Sequence, residues 1–300
     1  MSISASMVKE LRERTGAGMM ECKKALTETS GDMEASIELL RVSGAAKAEK
    51  KSGNTAAEGV VSMKQSADGK SFAIVEINSQ TDFASKSEDF TGFVDQVTDL
   101  ILTSQPADTA ALAELKLGSG ESVAEATKSL VAKIGENIQV RRFEARAAAG
   151  NNVANYSHGG RIGVICELDG GDDELARDVA MHIAASNPMC VSEEQVPADV
   201  LDKEKKVLMA EAAESGKPEE IIEKMVQGRI KKYLAEITLV GQPFVKDPDQ
   251  TVEKLVAAKG AKVLGFTRFE VGEGIEKKEE NFADEVMAQV REAESPSSTD

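Results

Sequence analysis

The chain has 300 residues, 41% of them hydrophobic and 29% charged, a globular composition with room for about two ordinary domains and no sign of wholesale disorder. A net charge of −16, an aromatic content of 4% and the absence of Trp argue against a nucleic-acid surface, which would need basic side chains and stacking rings. The opening residues show no basic and apolar leader, no later stretch approaches ~20 consecutive apolar residues, and Cys22, Cys166 and Cys190 are too scattered for a disulfide framework or a zinc site. The expectation is a protein of the reducing cytosol, neither secreted nor membrane-spanning.

Ile3 and Val8 bracket Ser4 at the spacing of a hydrophobic staple, so a first helix should run from about Ala5 to Arg14 and stop before Gly16. A second should carry Met19, Cys22 and Leu26 on one side and break at Ser30-Gly31, where Asp32 caps a third bearing Met33, Ile37 and Leu40. A module this small is marginal alone and reads as a docking head on a larger body. Ser43 to Gly59, almost free of large apolar side chains and holding Lys47, Lys50 and Lys51, reads as a linker, so residues 1–54 form the head plus linker.

From Val60 the hydrophobic period changes to that of strands. Val60 to Met63 and Phe72 to Ile77 flank a turn at Ala67-Asp68-Gly69-Lys70, and a helix carrying Phe90, Phe93, Val94, Val97 and Leu100 or Ile101 follows. The same order returns as Val153 to Tyr156, a turn at Gly159-Gly160, Arg161 to Cys166, and a helix with Leu175, Val179 and Ile183. The core therefore reads as duplicated, an α+β fold with antiparallel sheets whose first subdomain is 55–146 and whose second is 147–196 plus 238–267. The copies differ in the link between second strand and helix, which runs from Asn78 to Asp89 in the first and only from Asp169 to Asp173 in the second. Extra length at that point suggests a use.

Pro106 to Arg146 should supply helices ending in the run Leu130 to Ile138 and then a strand at Gln139 to Phe143. Pro197 to Ser215 and Pro218 to Ile237 read as an antiparallel helical hairpin (197–237) projecting from the body, with Ile222, Val226, Ile230, Leu234 and Ile237 forming a self-packing seam of coiled-coil type rather than a ligand groove. Val263 to Phe269 alternates as a last strand. Residues 268–300 form a C-terminal module with an acidic helix from Glu279 to Arg291 and a disordered Ser295-Pro296-Ser297-Ser298 end.

Catalytic motifs fail on inspection. Gly69-Lys70-Ser71 resembles the end of a phosphate-binding loop, but Lys64 stands where the first glycine is needed and a strand follows instead of a helix. Gly16-x-Gly18 and Gly272-x-Gly274 lack the third glycine of a dinucleotide site and read as turns. Neither His158 nor His182 sits in HExxH, and no GxSxG supplies a nucleophile. His182 falls on the apolar side of its helix and reads as structural, whereas His158, at a hairpin tip, is either a contact residue or part of an idle turn. Gln80-Thr81-Asp82-Phe83-Ala84 lies in the long link. Its Phe is either tucked onto its own domain, which chemistry alone favours, or held out for a partner.

Val8 to Leu26, reading VKELRERTGAGMMECKKAL, resembles the N-terminal signature of the bacterial elongation factor Ts family nearly word for word. Further matching stretches are Asn78 to Phe83, Lys133 to Ile138, Tyr156 to Val164, Met181 to Ser186, Gly241 to Phe244 and Arg268 to Gly274, in order along nearly the whole chain. Departures fall mainly at Ala107–Gly120 and Ser295–Asp300, and Ala84 stands where many relatives have Val.

The resemblance implies a guanine-nucleotide exchange factor without catalytic chemistry or cofactor of its own, which binds the GDP form of elongation factor Tu and expels GDP. It also implies a ubiquitin-associated-like head, a two-subdomain α+β core, an inserted helical hairpin and a C-terminal helical module. Carried over by residue, it implies that Thr81, Asp82 and Phe83 enter the GTPase near its magnesium site. Other partner contacts would lie at Arg12, Met19 and Met20 on the head and at His158 and Gly159 on the core tip. No nucleic acid or membrane is expected as a direct partner, and the hairpin offers a surface for a homodimer or a 2:2 complex. The rival readings are a hydrolase using Asp82 and His158, and an adaptor whose head binds ubiquitin-like or other helical partners.

Overall fold

The computed structural model describes residues 3–213 and 218–276. Ser4 accepts the Met7 amide and starts helix α1 (Ala5–Thr15), which Gly16 ends at φ 68°, a left-handed conformation that disfavours any side chain. Helix α2 (Met19–Glu28) begins after Gly18, and the Asp32 carboxylate caps α3 (Met33–Lys51). The glycine pair is thus a turn between two helices. Leu11, Cys22, Ala25 and Leu26 are buried between the three, with Ile3, Val8, Met33, Ile37 and Leu40 packed around them.

The stretch read as a linker is instead the second half of α3, which continues to Lys51 and leaves only a short connection before the first strand. Alanine and lysine are strong helix formers, and the lack of bulk here is a packing feature rather than a sign of solvent. Ala48 is buried within the core of the first subdomain, and a Cβ placed on Gly44 would stand 3.0 Å from the Ala132 Cβ of a core helix. The head is therefore seated directly on the body.

In the first subdomain, β1 (Glu58–Gln65) and β2 (Ser71–Ser79) form a hairpin. Four helices follow, α4 (Asp82–Ser85), α5 (Glu88–Ser104), α6 (Thr109–Glu114) and α7 (Val123–Ile134), and then β3 (Ile138–Ala147), which is longer than expected. The second repeats the plan with β4 (Asn152–His158), β5 (Ile162–Asp169) and α8 (Asp173–Ser186). The projecting helices α9 (Ala198–Ala213) and α10 (Glu219–Ile237) precede β6 (Pro243–Phe244), β7 (Asp247–Thr251), α11 (Val252–Ala258) and β8 (Lys262–Glu270). The sheets are antiparallel in the orders β1-β2-β3 and β4-β5-β8, so each hairpin receives its third strand after an excursion of helices. The repeat extends to its irregularities, since register shifts follow Glu76 in β2 and Glu167 in β5.

One face of each sheet buries its alternating apolar residues under helices. Ala73, Val75 and Ile77 lie beneath Phe90, Val94, Val97 and Val131, and Val164, Cys166 and Leu168 lie beneath Leu175, Val179 and Ile183. The opposite faces meet through a smaller cluster of Val61, Phe72, Ile74, Ile165 and Val271. Gly163 permits that approach, because a Cβ there would fall 2.4 Å from the Val61 Cγ1. Beside this cluster, the buried Glu76 carboxylate receives Arg141 at 2.9 Å, Arg142 at 2.6 Å and the Gly272 amide at 2.8 Å, while Glu167 pairs with Arg146. Burial opposes ionisation of Glu76, but these donors outweigh it and hold the carboxyl below its ordinary range.

Leu208, Ala212 and Val226 are buried between α9 and α10, flanked by Ile222 and Ile230, as a self-packing seam. The base of the hairpin is clipped where the Leu239 and Val240 amides donate to the Cys190 and Val191 carbonyls. The expected acidic helix from Glu279 to Arg291 and the Ser295–Ser298 end lie outside the described residues.

Candidate functional site

The long link of the first repeat is ordered from within. Thr81 is extended and its hydroxyl accepts the Ala84 amide, which converts Asp82–Ser85 into a single helical turn, α4. Ala84 and Ser85 face inward and are buried, and Asp82, half-buried, pairs with Lys86 one turn on at 2.6 Å. The same turn carries Phe83 outward, with 82% of its surface exposed. Sequence chemistry favoured a tucked ring; the capped turn aims it at solvent because its two small neighbours occupy the inward positions.

The turn is clamped by residues far away in sequence. The Thr81 amide and hydroxyl donate to the two carboxylate oxygens of Glu136 at 2.9 and 2.7 Å. The Asn137 amide donates to the Gln80 side-chain carbonyl at 2.7 Å, and the Asn137 carboxamide donates to the Asn54 carbonyl at 2.7 Å. Gly135, at φ 85°, ends α7 and turns the chain so that Glu136 and Asn137 reach the link. None of Gln80, Glu136 and Asn137 carries a role in the sequence reading, although the runs that contain them are among those matching the family. A signal was present in the placement of an acid and an amide directly after a helix-ending glycine.

The other sequence-predicted residues lie on the head and on the tip of the second hairpin. Met19 and Met20 open α2 and are 60% and 73% exposed. The preceding turn, at Gly16, lies against the Lys133 side chain of α7, which itself pairs with Asp89 at the start of α5 at 2.7 Å. The Gly16 turn that precedes the methionines thus lies beside Lys133, near the end of α7 from which Glu136 reaches Thr81, and Arg12 is exposed on the last turn of α1. Lys47 donates to Glu21 and holds that carboxyl below its usual range, tying the start of α2 to α3.

His158 and Gly159 are exposed at the tip of the β4–β5 hairpin. That tip is fastened to the start of β1, where the Val61 amide donates to the Gly160 carbonyl at 2.8 Å and Arg161 pairs with Glu58. Glu58 stands opposite Ser79, two residues before Thr81, so the tip and the exposed Phe belong to one end of the sheets. No hydrogen bond joins Asp82 to His158. His182 is fully buried, with Nε2 2.9 Å from the Gln242 Oε1 and Nδ1 accepting the Val245 amide at 3.2 Å, a structural placement. The three cysteines are free, and burial pushes the Cys166 thiol far above its ordinary value. Among the described residues no three His, Cys, Asp or Glu side chains are grouped to hold a metal ion, and no helix is long and apolar enough to cross a membrane.

The family profile described as Elongation factor TS matches residues 80–273, which begin at the clamped link and end in the turn that donates to Glu76. The chain belongs to the elongation factor Ts family. Similar curated proteins include the elongation factor Ts of Alkalilimnicola ehrlichii, 65% identical over 97% of this chain and 99% of its own length. That of Thioalkalivibrio sulfidiphilus is 64% identical over 98% and 100%, and that of Methylococcus capsulatus 60% over 97% and 99%. Family membership places the chain among the translation elongation factors of protein biosynthesis.

Proposed function

We propose that this chain is the guanine-nucleotide exchange factor for elongation factor Tu, working in the bacterial cytosol, and that the Thr81–Phe83 turn is the element that dislodges GDP. The observation that carries the reading is Phe83, a large apolar ring exposed on a rigid helical turn beside a carboxylate in a member of the elongation factor Ts family. An exposed aromatic side chain on a preorganised support costs little entropy to seat in a partner pocket.

In a translational GTPase the nucleotide is held by backbone amides around its phosphates and by Mg²⁺, which requires a full shell of oxygen ligands in near-ideal geometry. Phe83 would act as a wedge against the protein around that shell, and Asp82 would disturb the ligating oxygens or waters by its charge. The coupling is reciprocal, so the factor by which the chain lowers GDP affinity is the factor by which GDP lowers affinity for the chain. Release needs no covalent step. The outer contacts would come from Arg12, Met19 and Met20 on the head and from His158 and Gly159 on the tip. The acidic balance favours a protein partner over RNA, and a hydrolytic pairing of Asp82 with His158 is disfavoured because Asp82 already pairs with Lys86.

The test is release of a fluorescent GDP from elongation factor Tu with and without the chain, repeated for Asp82→Ala in excess Mg²⁺ and in chelator. Acceleration by the native chain is expected. The Asp82→Ala defect should be largest when Mg²⁺ is abundant and should shrink when it is removed. A native chain without effect on release would refute the proposal, and a defect indifferent to Mg²⁺ would refute the role of Asp82.

A further inference from the structure

We propose that Glu136 is a positioning residue for nucleotide exchange, holding the Asp82–Phe83 turn in the orientation that its partner requires; this rests on the exchange reading above. Glu136 offers both carboxylate oxygens to one residue, taking the Thr81 amide at 2.9 Å and the Thr81 hydroxyl at 2.7 Å. The hydroxyl oxygen that donates to Glu136 also accepts the Ala84 amide, so the carboxylate fixes the cap of the turn as well as its position. A helix of four residues has almost no stability of its own, because nucleation fixes several dihedral angles for very few hydrogen bonds. Without Glu136, Thr81 would keep its cap and the Ser79 hydroxyl on its carbonyl, but its amide and hydroxyl would lose their acceptor, and the exposed Phe83 adds little packing to compensate.

Asn137 extends the clamp. Its amide holds Gln80, and its carboxamide holds the carbonyls of Ser52 and Asn54, just beyond the end of α3. The residues that follow α7 therefore join the exit of the head to the exchange turn. The head, seated on α7, and the turn, held by the residues at the end of α7, are thus fixed to one helix.

The distinguishing measurement is GDP release from elongation factor Tu as a function of chain concentration for Glu136→Ala, Glu136→Gln, Thr81→Val and Thr81→Ser, each in the Phe83 and the Phe83→Ala background. Glu136→Ala and Thr81→Val should lower the maximal release rate at least about fivefold, since the first removes both charge-assisted hydrogen bonds from Thr81 and the second removes the hydroxyl bond to Glu136 together with the cap. Glu136→Gln keeps acceptor capacity for Thr81 and should recover part of the loss, and Thr81→Ser should approach the native rate. In the Phe83→Ala background Glu136→Ala should cost little more, because an unordered turn and a missing wedge disable the same step. Native amide hydrogen exchange across residues 81–85, measured without the partner, should accelerate in Glu136→Ala.

A native chain that fails to release GDP would overturn the exchange reading and this assignment with it. An active native chain whose Glu136→Ala variant is equally active would overturn the assignment alone. So would an equal loss from Glu136→Ala with and without Phe83, which is the mark of general destabilisation.

Discussion

His182 has no exposed surface and uses both ring nitrogens, Nε2 toward the Gln242 carbonyl and Nδ1 as acceptor of the Val245 amide. Burial depresses its pKa below the ordinary histidine value, the Gln242 bond offsetting this only in part, because a charged ring there would lose water and set a second N–H against the Val245 amide. Between the folded and unfolded pKa values the unfolded chain binds the extra proton, so stability is intact above about pH 6.5 and falls as pH drops through the folded value. The melting temperature of the native chain should therefore decline between about pH 6.5 and 5, before ordinary carboxylates titrate. His182→Gln should start lower and decline less over that window. The only other histidine, His158, is exposed, so equal slopes for the two proteins would contradict the assigned state of His182.

At the scale of elements, the small residues of α3 let it lie close to α7. Gly44→Val should cost ~1–3 kcal/mol by overpacking against Ala132, measured by chemical denaturation, and Ala132→Gly should recover part of that loss in the double variant. No loss in Gly44→Val would restore the linker reading of this stretch. The α9–α10 hairpin is the opposite case, an element whose apolar seam is satisfied within itself and whose base is clipped independently. Replacing Ala198–Gln227 by a short Gly-Ser turn should leave a folded chain that still accelerates GDP release to within about twofold. Collapse of release in a folded variant would assign the hairpin a contact with the GTPase or with a second copy of the chain. Periodicity exposed the strands, the duplicated order and the hairpin because each buries one regular face. It could not show that Ala48 is core, since small residues look alike in a packed interface and in a linker. Nor could it find Glu136, whose role depends on meeting Thr81 across a long stretch of intervening chain.

Over the whole molecule, two copies of one α+β unit set sheet against sheet through a small apolar cluster and a set of arginines from β3. Arg141 and Arg142 hold Glu76, and Arg146 holds Glu167. Only the first copy has the lengthened link, and among the described residues only there does a large ring leave the surface on a clamped turn. The residues of this turn were legible from the sequence, whereas the direction of its ring was not, because tucked and exposed conformations share one sequence and differ only in which neighbours fill the inward positions. In the proposed function Phe83 is offered to a partner and contributes nothing to the fold. The most direct test of this is GDP release from elongation factor Tu by Phe83→Ala at fixed concentration, with thermal melts in parallel. Seating a Phe side chain in a partner pocket is worth ~1.5–3 kcal/mol, so release should slow about tenfold or more while the melting temperature stays at the native value. Normal release, or a sharply lowered melting temperature, would contradict it.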